Sequence, residues 1–100
     1  MVNVRLDPAA QAEYEAAVNW YLARSPRAAA GFADAVDDAL SHVRRFPDGF
    51  PRHDARHRYT VIDGYPYVLY YRPGDPVLVV AVAHSGQRPG YWHGRTDPAI

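Results

Sequence analysis

The chain has 100 residues, of which 48% are apolar, with eleven basic and eleven acidic side chains and no cysteine. Such a size and apolar content describe one domain over residues 1–100 with a single core, and exclude wholesale disorder, disulfides and thiolate metal sites. No stretch nears the roughly 18 consecutive apolar residues of a membrane span, and residues 1–7 hold no apolar run of signal-peptide length, so the expected location is cytoplasmic, with no membrane partner. The zero net charge argues against a strongly basic nucleic-acid binder, but its distribution is uneven. Residues 1–43 hold three Arg against six acids, whereas residues 44–100 hold eight Arg against five acids and four of the five His. Every basic residue is Arg, a usage that GC-rich coding explains and that also suits bidentate contact with phosphate or carboxylate.

Val2, Val4 and Leu6 alternate with polar residues and predict a short strand. Asp7-Pro8 opens a helix whose Ala10, Tyr14, Ala17, Val18 and Tyr21 share one face, with Glu13 and Glu15 off that stripe. Ser25-Pro26 repeats the cap-then-proline signal and opens a second helix. It buries Phe32, Val36, Leu40 and Val43 and stops at Phe46-Pro47-Asp48-Gly49. So short a break predicts an antiparallel helical hairpin. Residues 46–56 carry Pro, Gly and charge and read as a loop. Residues 58–62 form the next strand, Asp63-Gly64 a hairpin turn, and Tyr67–Arg72 the return strand. Residues 77–83 are a β-branched run without polar alternation, so they are expected to be covered on both faces. The order predicts an α+β fold: an N-terminal strand, a two-helix antiparallel hairpin, then a three-stranded antiparallel meander completing one curved sheet, read as antiparallel throughout with the helices on one face.

Just past that last run stand His84, Arg88, Tyr91, Trp92 and Arg95. Groups that follow a buried strand stand at the rim of the fold, where a rigid scaffold presents them to a partner. His moves protons near neutral pH, Arg grips phosphate or carboxylate, and Tyr and Trp stack on bases. The set suits contact with a nucleic acid or an acidic protein segment.

The chain carries, in order, Ala12-Glu13 and Trp20-Tyr21, then Ser25-Pro26 with Ala29, Ala30 and Phe32, then Phe46-Pro47-Asp48-Gly49-Phe50-Pro51. Arg58, the Tyr67–Tyr71 stretch, and Ala81-Val82-Ala83-His84 with Arg88, Tyr91 and Trp92 complete the set. In these ordered features it resembles the RelE/ParE superfamily of toxins from bacterial type II toxin–antitoxin systems. The resemblance implies a small toxin with a curved sheet and a helical hairpin, wrapped by a cognate antitoxin in a hetero-oligomer. It implies one of two targets. RelE-like members cleave messenger RNA on the ribosome, and ParE-like members poison DNA gyrase without nuclease residues. A degenerate member that only binds antitoxin is a third reading.

Metal-free RNA cleavage needs a base for the 2′-hydroxyl, cations on the crowded phosphate and an acid for the leaving oxygen. The candidates are His84 as base or acid, Arg58 and Arg88 on the phosphate, and Tyr91 as stacking group or proton donor. Arg52, Arg56, Trp92 and Arg95 are candidate RNA- or target-binding residues. The alternative reading of His84 is structural: it ends a strand with its ring bonded to backbone. No cofactor or metal is expected. His53 and His57 sit four apart in a loop without a third ligand at useful spacing, and read as surface histidines. Tyr67 and Tyr71 fall on one strand face with Leu69, and Tyr70 with Val68 on the other. Trp20 is expected in the core, and Asp34, Asp37 and Asp38 on a solvated helix face.

Overall fold

The structure is a computed structural model that describes residues 1–95; Asp97, counted above among the acids, lies outside them. The elements are β1 (Val4–Leu6), α1 (Pro8–Leu22), α2 (Pro26–Arg45), β2 (Arg58–Val61), β3 (Tyr67–Arg72) and β4 (Val77–His84). Both helices start as the sequence predicts. The Asp7 carboxylate accepts the Ala9 N–H at 2.9 Å and the Ser25 hydroxyl accepts that of Ala28 at 3.2 Å, each just before a proline that lacks the donor a first turn leaves unused. His42, Arg44 and Arg45 fill the last turn of α2, where positive charge offsets the exposed carbonyls. No helix among the described residues is long and apolar enough to cross a membrane.

Phe32 of α2 sits at the centre of an aromatic cluster that joins the hairpin to the sheet. Its ring centroid lies 5.3 Å from Tyr21, 5.3 Å from Tyr65 and 5.1 Å from Tyr67. Val36 and Val43 extend this buried stripe along α2, and Ala10 and Ala17 meet it from α1. Leu40, expected in the core, is only partly buried, and Ala39 takes the buried position beside it.

The four strands lie in the order β1-β4-β3-β2. β2–β3 and β3–β4 are antiparallel, as the meander requires, but β1 pairs with β4 in parallel. The sheet is therefore mixed, not antiparallel throughout. The meander starts at the edge farthest from β1, so its third strand arrives beside β1 running the same way.

The β3–β4 ladder carries a bulge. Tyr70 faces Ala81 and Tyr71 faces Val79, which leaves Val80 without an opposite residue. The extra residue shifts the phase of side-chain alternation along β4. Val77, Val79 and Val82 enter the helix-facing core, while Val80 and Ala81 pack with Trp92 in a second buried cluster. β4 is thus covered on both faces, as its unbroken apolar run predicts. Leu69, Tyr71 and Tyr67 face the helices and Tyr70 joins Trp92, which matches the predicted split of the tyrosines.

Candidate functional site

β1 is only three residues long, and its last backbone bond to β4 is from the Asp7 N–H to the Val79 carbonyl at 2.9 Å. Beyond it, the bulge turns Val80 O and Val82 N to an edge that no strand among the described residues covers. Buried backbone groups need partners, and two distant side chains supply them. Glu13 Oε1 accepts the Val82 N–H at 3.0 Å, and Arg95 Nη1 donates to the Val80 carbonyl at 3.2 Å. The two side chains also hold each other, at 2.9 Å (Nη1 to Oε1) and 3.1 Å (Nη2 to Oε2). The Tyr91 hydroxyl donates a short hydrogen bond to Glu13 Oε2. Burial, followed by this contact with Glu13, pushes the Tyr91 hydroxyl well above the ordinary phenol range. The bond to Glu13 raises Arg95 as well. Glu13 was read as off the buried stripe, yet it organises this edge. It lies on the side of α1 that overhangs the end of β4, a relation helical periodicity does not encode.

His84 ends β4 and is exposed at the rim. Its Nδ1 accepts the Gly86 N–H at 3.0 Å, and its own N–H donates to Gln87 Oε1 at 2.9 Å. In that arrangement a neutral ring carries its proton on Nε2. The lone pair a general base needs is occupied, and the ring offers a donor to the surroundings. Arg88 is exposed in the turn that follows. His84, Arg88, Tyr91 and Trp92 line one shallow depression.

Arg52, Arg56 and Arg58 line a different one, with Asp48, Asp54 and His57. Arg52 and Arg56 are exposed, and Arg52 bridges to Arg58 through its backbone. Arg58 Nη1 donates to the Phe50 carbonyl at 2.6 Å, while its Nε lies 3.9 Å from the well-exposed Asp48, too far and too solvated to matter much. The predicted phosphate-gripping pair, Arg58 and Arg88, is therefore divided between two depressions.

Several placements depart from expectation. Trp92, expected to touch a target, is 1% exposed and fills the second core. Trp20, expected in the core, is 51% exposed, with the Arg24 guanidinium 3.5 Å above its ring. It precedes Tyr21 by one residue and so is turned off the buried face. His57 is no surface histidine. It is buried, its Nδ1 lies 2.9 and 3.1 Å from the two Asp54 oxygens, and Nε2 of His93 lies 3.2 Å from the same carboxylate. Burial, opposed by the bond to Asp54, holds the His57 ring below its ordinary pKa. Burial raises the Asp54 carboxyl, but the N–H groups of Arg56 and His57 and the His57 ring outweigh it and hold the group well below the usual range. Potential ligands thus stand near His53, contrary to the sequence reading.

An open groove of about 410 Å³ runs between α1 and the end of the β3–β4 ladder. Ala16, Ala17, Trp20, Tyr21, Tyr67 and Val82 give it an apolar lining, joined by the polar side chains of Glu13, His84 and Gln87.

Similarity to known proteins agrees with this architecture. A solved structure described as a chromosomal ParDE TA system from P. aeruginosa superposes with a TM-score of 0.62 over 84% of this chain and 96% of that one, at 18% identity, which is a likeness of fold. No curated protein matches the sequence. The family described as the ParE toxin of type II toxin-antitoxin system, parDE, matches residues 4–89, nearly the whole described chain. The chain belongs to the ParE toxin family.

Proposed function

We propose that the chain is a growth-inhibiting toxin that acts in the cytoplasm by binding DNA gyrase, without RNA cleavage, and is held inactive by a cognate antitoxin. The observation that carries this reading is the state of the proton-transfer groups. His84 Nδ1 is taken by the Gly86 N–H, and the Tyr91 hydroxyl is given to Glu13. The candidate base and acid are thus committed to holding the rim together. A gyrase binder needs neither. Membership in the ParE family supports the same target class. The apolar groove beside α1 supports an antitoxin segment as the neutralising partner, laid in as a helix or strand.

Induced expression without antitoxin tests the proposal. Gyrase poisoning leaves double-strand DNA breaks in a gyrase cleavage assay while primer extension on total RNA shows intact messages. New 5′ ends within codons would establish the ribosome-dependent endoribonuclease instead. Absence of any growth arrest would leave only antitoxin binding.

A further inference from the structure

We propose that His53, Asp54 and His93 hold a divalent transition-metal ion that fastens the segment after β4 to the loop before β2. One ligand atom from each of the three lies within 4.8 Å of the others. His93 Nε2 and Asp54 Oδ2 are 3.2 Å apart. Bonds of 2.0–2.1 Å to a tetrahedral zinc ion place neighbouring ligand atoms about 3.3 Å apart, so this pair already spans one tetrahedral edge. The rings of His53 and His93 lie 5.5 Å apart between centroids, close enough for a side-chain rotation to bring the third ligand in.

The ligands are held by local structure on both sides. The N–H groups of His53 and Asp54 donate to the His57 carbonyl at 2.8 and 3.3 Å. Asp54 Oδ1 accepts the N–H groups of Arg56 and His57, both at 2.8 Å, which turns Oδ2 toward His93. Behind the carboxylate stands the buried His57 ring, donating Nδ1–H to it. A partner outside the ligand set that orients a ligand in this way is a regular feature of metal centres. On the other side, Gly90 has φ +77°, and a Cβ there would stand 2.7 Å from the His93 ring. The glycine lets the imidazole fold back over its own turn toward Asp54.

Two imidazole nitrogens and one carboxylate oxygen suit borderline cations such as Zn²⁺, Co²⁺ or Ni²⁺. Mg²⁺ and Ca²⁺ require oxygen ligands in greater number. The His93 side chain is 53% exposed and that of Asp54 36%, so an ion has access, and three protein ligands leave one position for water. His53 and His93 are 40 positions apart, so spacing in the sequence gives no sign of the site.

The test is calorimetric titration of ZnCl₂ into the tag-free full chain at neutral pH. One ion per chain is expected, and His53→Ala and His93→Ala each weaken binding at least about tenfold. The exposed His42, on α2, controls for adventitious surface binding, and His42→Ala should bind as the parent does. Co²⁺ should give intense visible absorption in the parent and lose it in His93→Ala. Mg²⁺ should not bind. Failure to saturate with Zn²⁺, binding that survives His93→Ala undiminished, or equal weakening by His42→Ala would each overturn the site. His93 is exposed, so its loss should leave the fold intact, which circular dichroism verifies.

Discussion

Glu13 on α1 and Arg95, 82 residues later, meet in a two-point ion pair at 2.9 and 3.1 Å. The pair stands where β1 stops covering β4 and takes up the edge groups a longer strand would pair. Removing Glu13 leaves the Val82 N–H, the Tyr91 hydroxyl and the Arg95 guanidinium short of a partner at once. About a fifth of each charged side chain faces solvent, so the loss is smaller than for a dry pair. Glu13→Ala is expected to cost about 2 kcal/mol in urea unfolding. Glu15→Ala, on the exposed side of α1, should stay within about 0.5 kcal/mol. Equal effects of the two would refute the bracing role.

Trp92 packs its ring against Val80 and Ala81, with the Tyr70 ring 4.8 Å away and that of His57 4.6 Å away. Trp92→Ala should therefore cost about 3–5 kcal/mol and lose activity only as the folded fraction falls. Trp92→Phe should retain most of the stability and the growth arrest. A folded but inactive Trp92→Phe would instead mark the indole as a contact group.

Tyr71 is buried, its hydroxyl donates to the Pro47 carbonyl at 2.5 Å, and burial pushes its pKa up to about 12. In the unfolded chain the group ionises near pH 10. The folded pKa is the higher one, so the stabilisation is complete below about pH 10 and is lost as pH rises through 12. Tyr71→Phe should lose about 1 kcal/mol at neutral pH with the hydrogen bond and show a shallower alkaline decline. Denaturant midpoints measured between neutral and strongly alkaline pH check both parts, and parallel declines would contradict the assignment.

His84 is exposed and bonded to its own turn, so His84→Ala should change stability by less than about 0.5 kcal/mol. Under the gyrase reading it should still arrest growth and still give DNA cleavage. A folded, harmless His84→Ala would return the nuclease hypothesis to the front.

Ala16 is exposed and lines the groove beside Trp20. Ala16→Arg should leave the helix intact and weaken antitoxin binding at least about tenfold, or roughly 1.4 kcal/mol. Undiminished copurification of the variant with the antitoxin would place the partner elsewhere.

Local chemistry already determined much of this molecule. Asp7-Pro8 and Ser25-Pro26 marked both helix starts because capping acts within three residues. The apolar run along β4 foretold a strand buried on both faces, and the order of elements foretold the fold. These are effects of near neighbours and of period, which a linear reading contains. The tertiary structure alone decided the rest. It set β1 parallel to β4 and placed the bulge at Val80, because register depends on where a distant strand arrives. It made Glu13, which the helical period places off the buried stripe, the brace of Arg95 and Tyr91. It buried Trp92, exposed Trp20, and brought His93 to Asp54. Each of these rests on a pairing between residues far apart in the chain. Folding chooses such pairings to satisfy buried groups, and no spacing in the sequence records them.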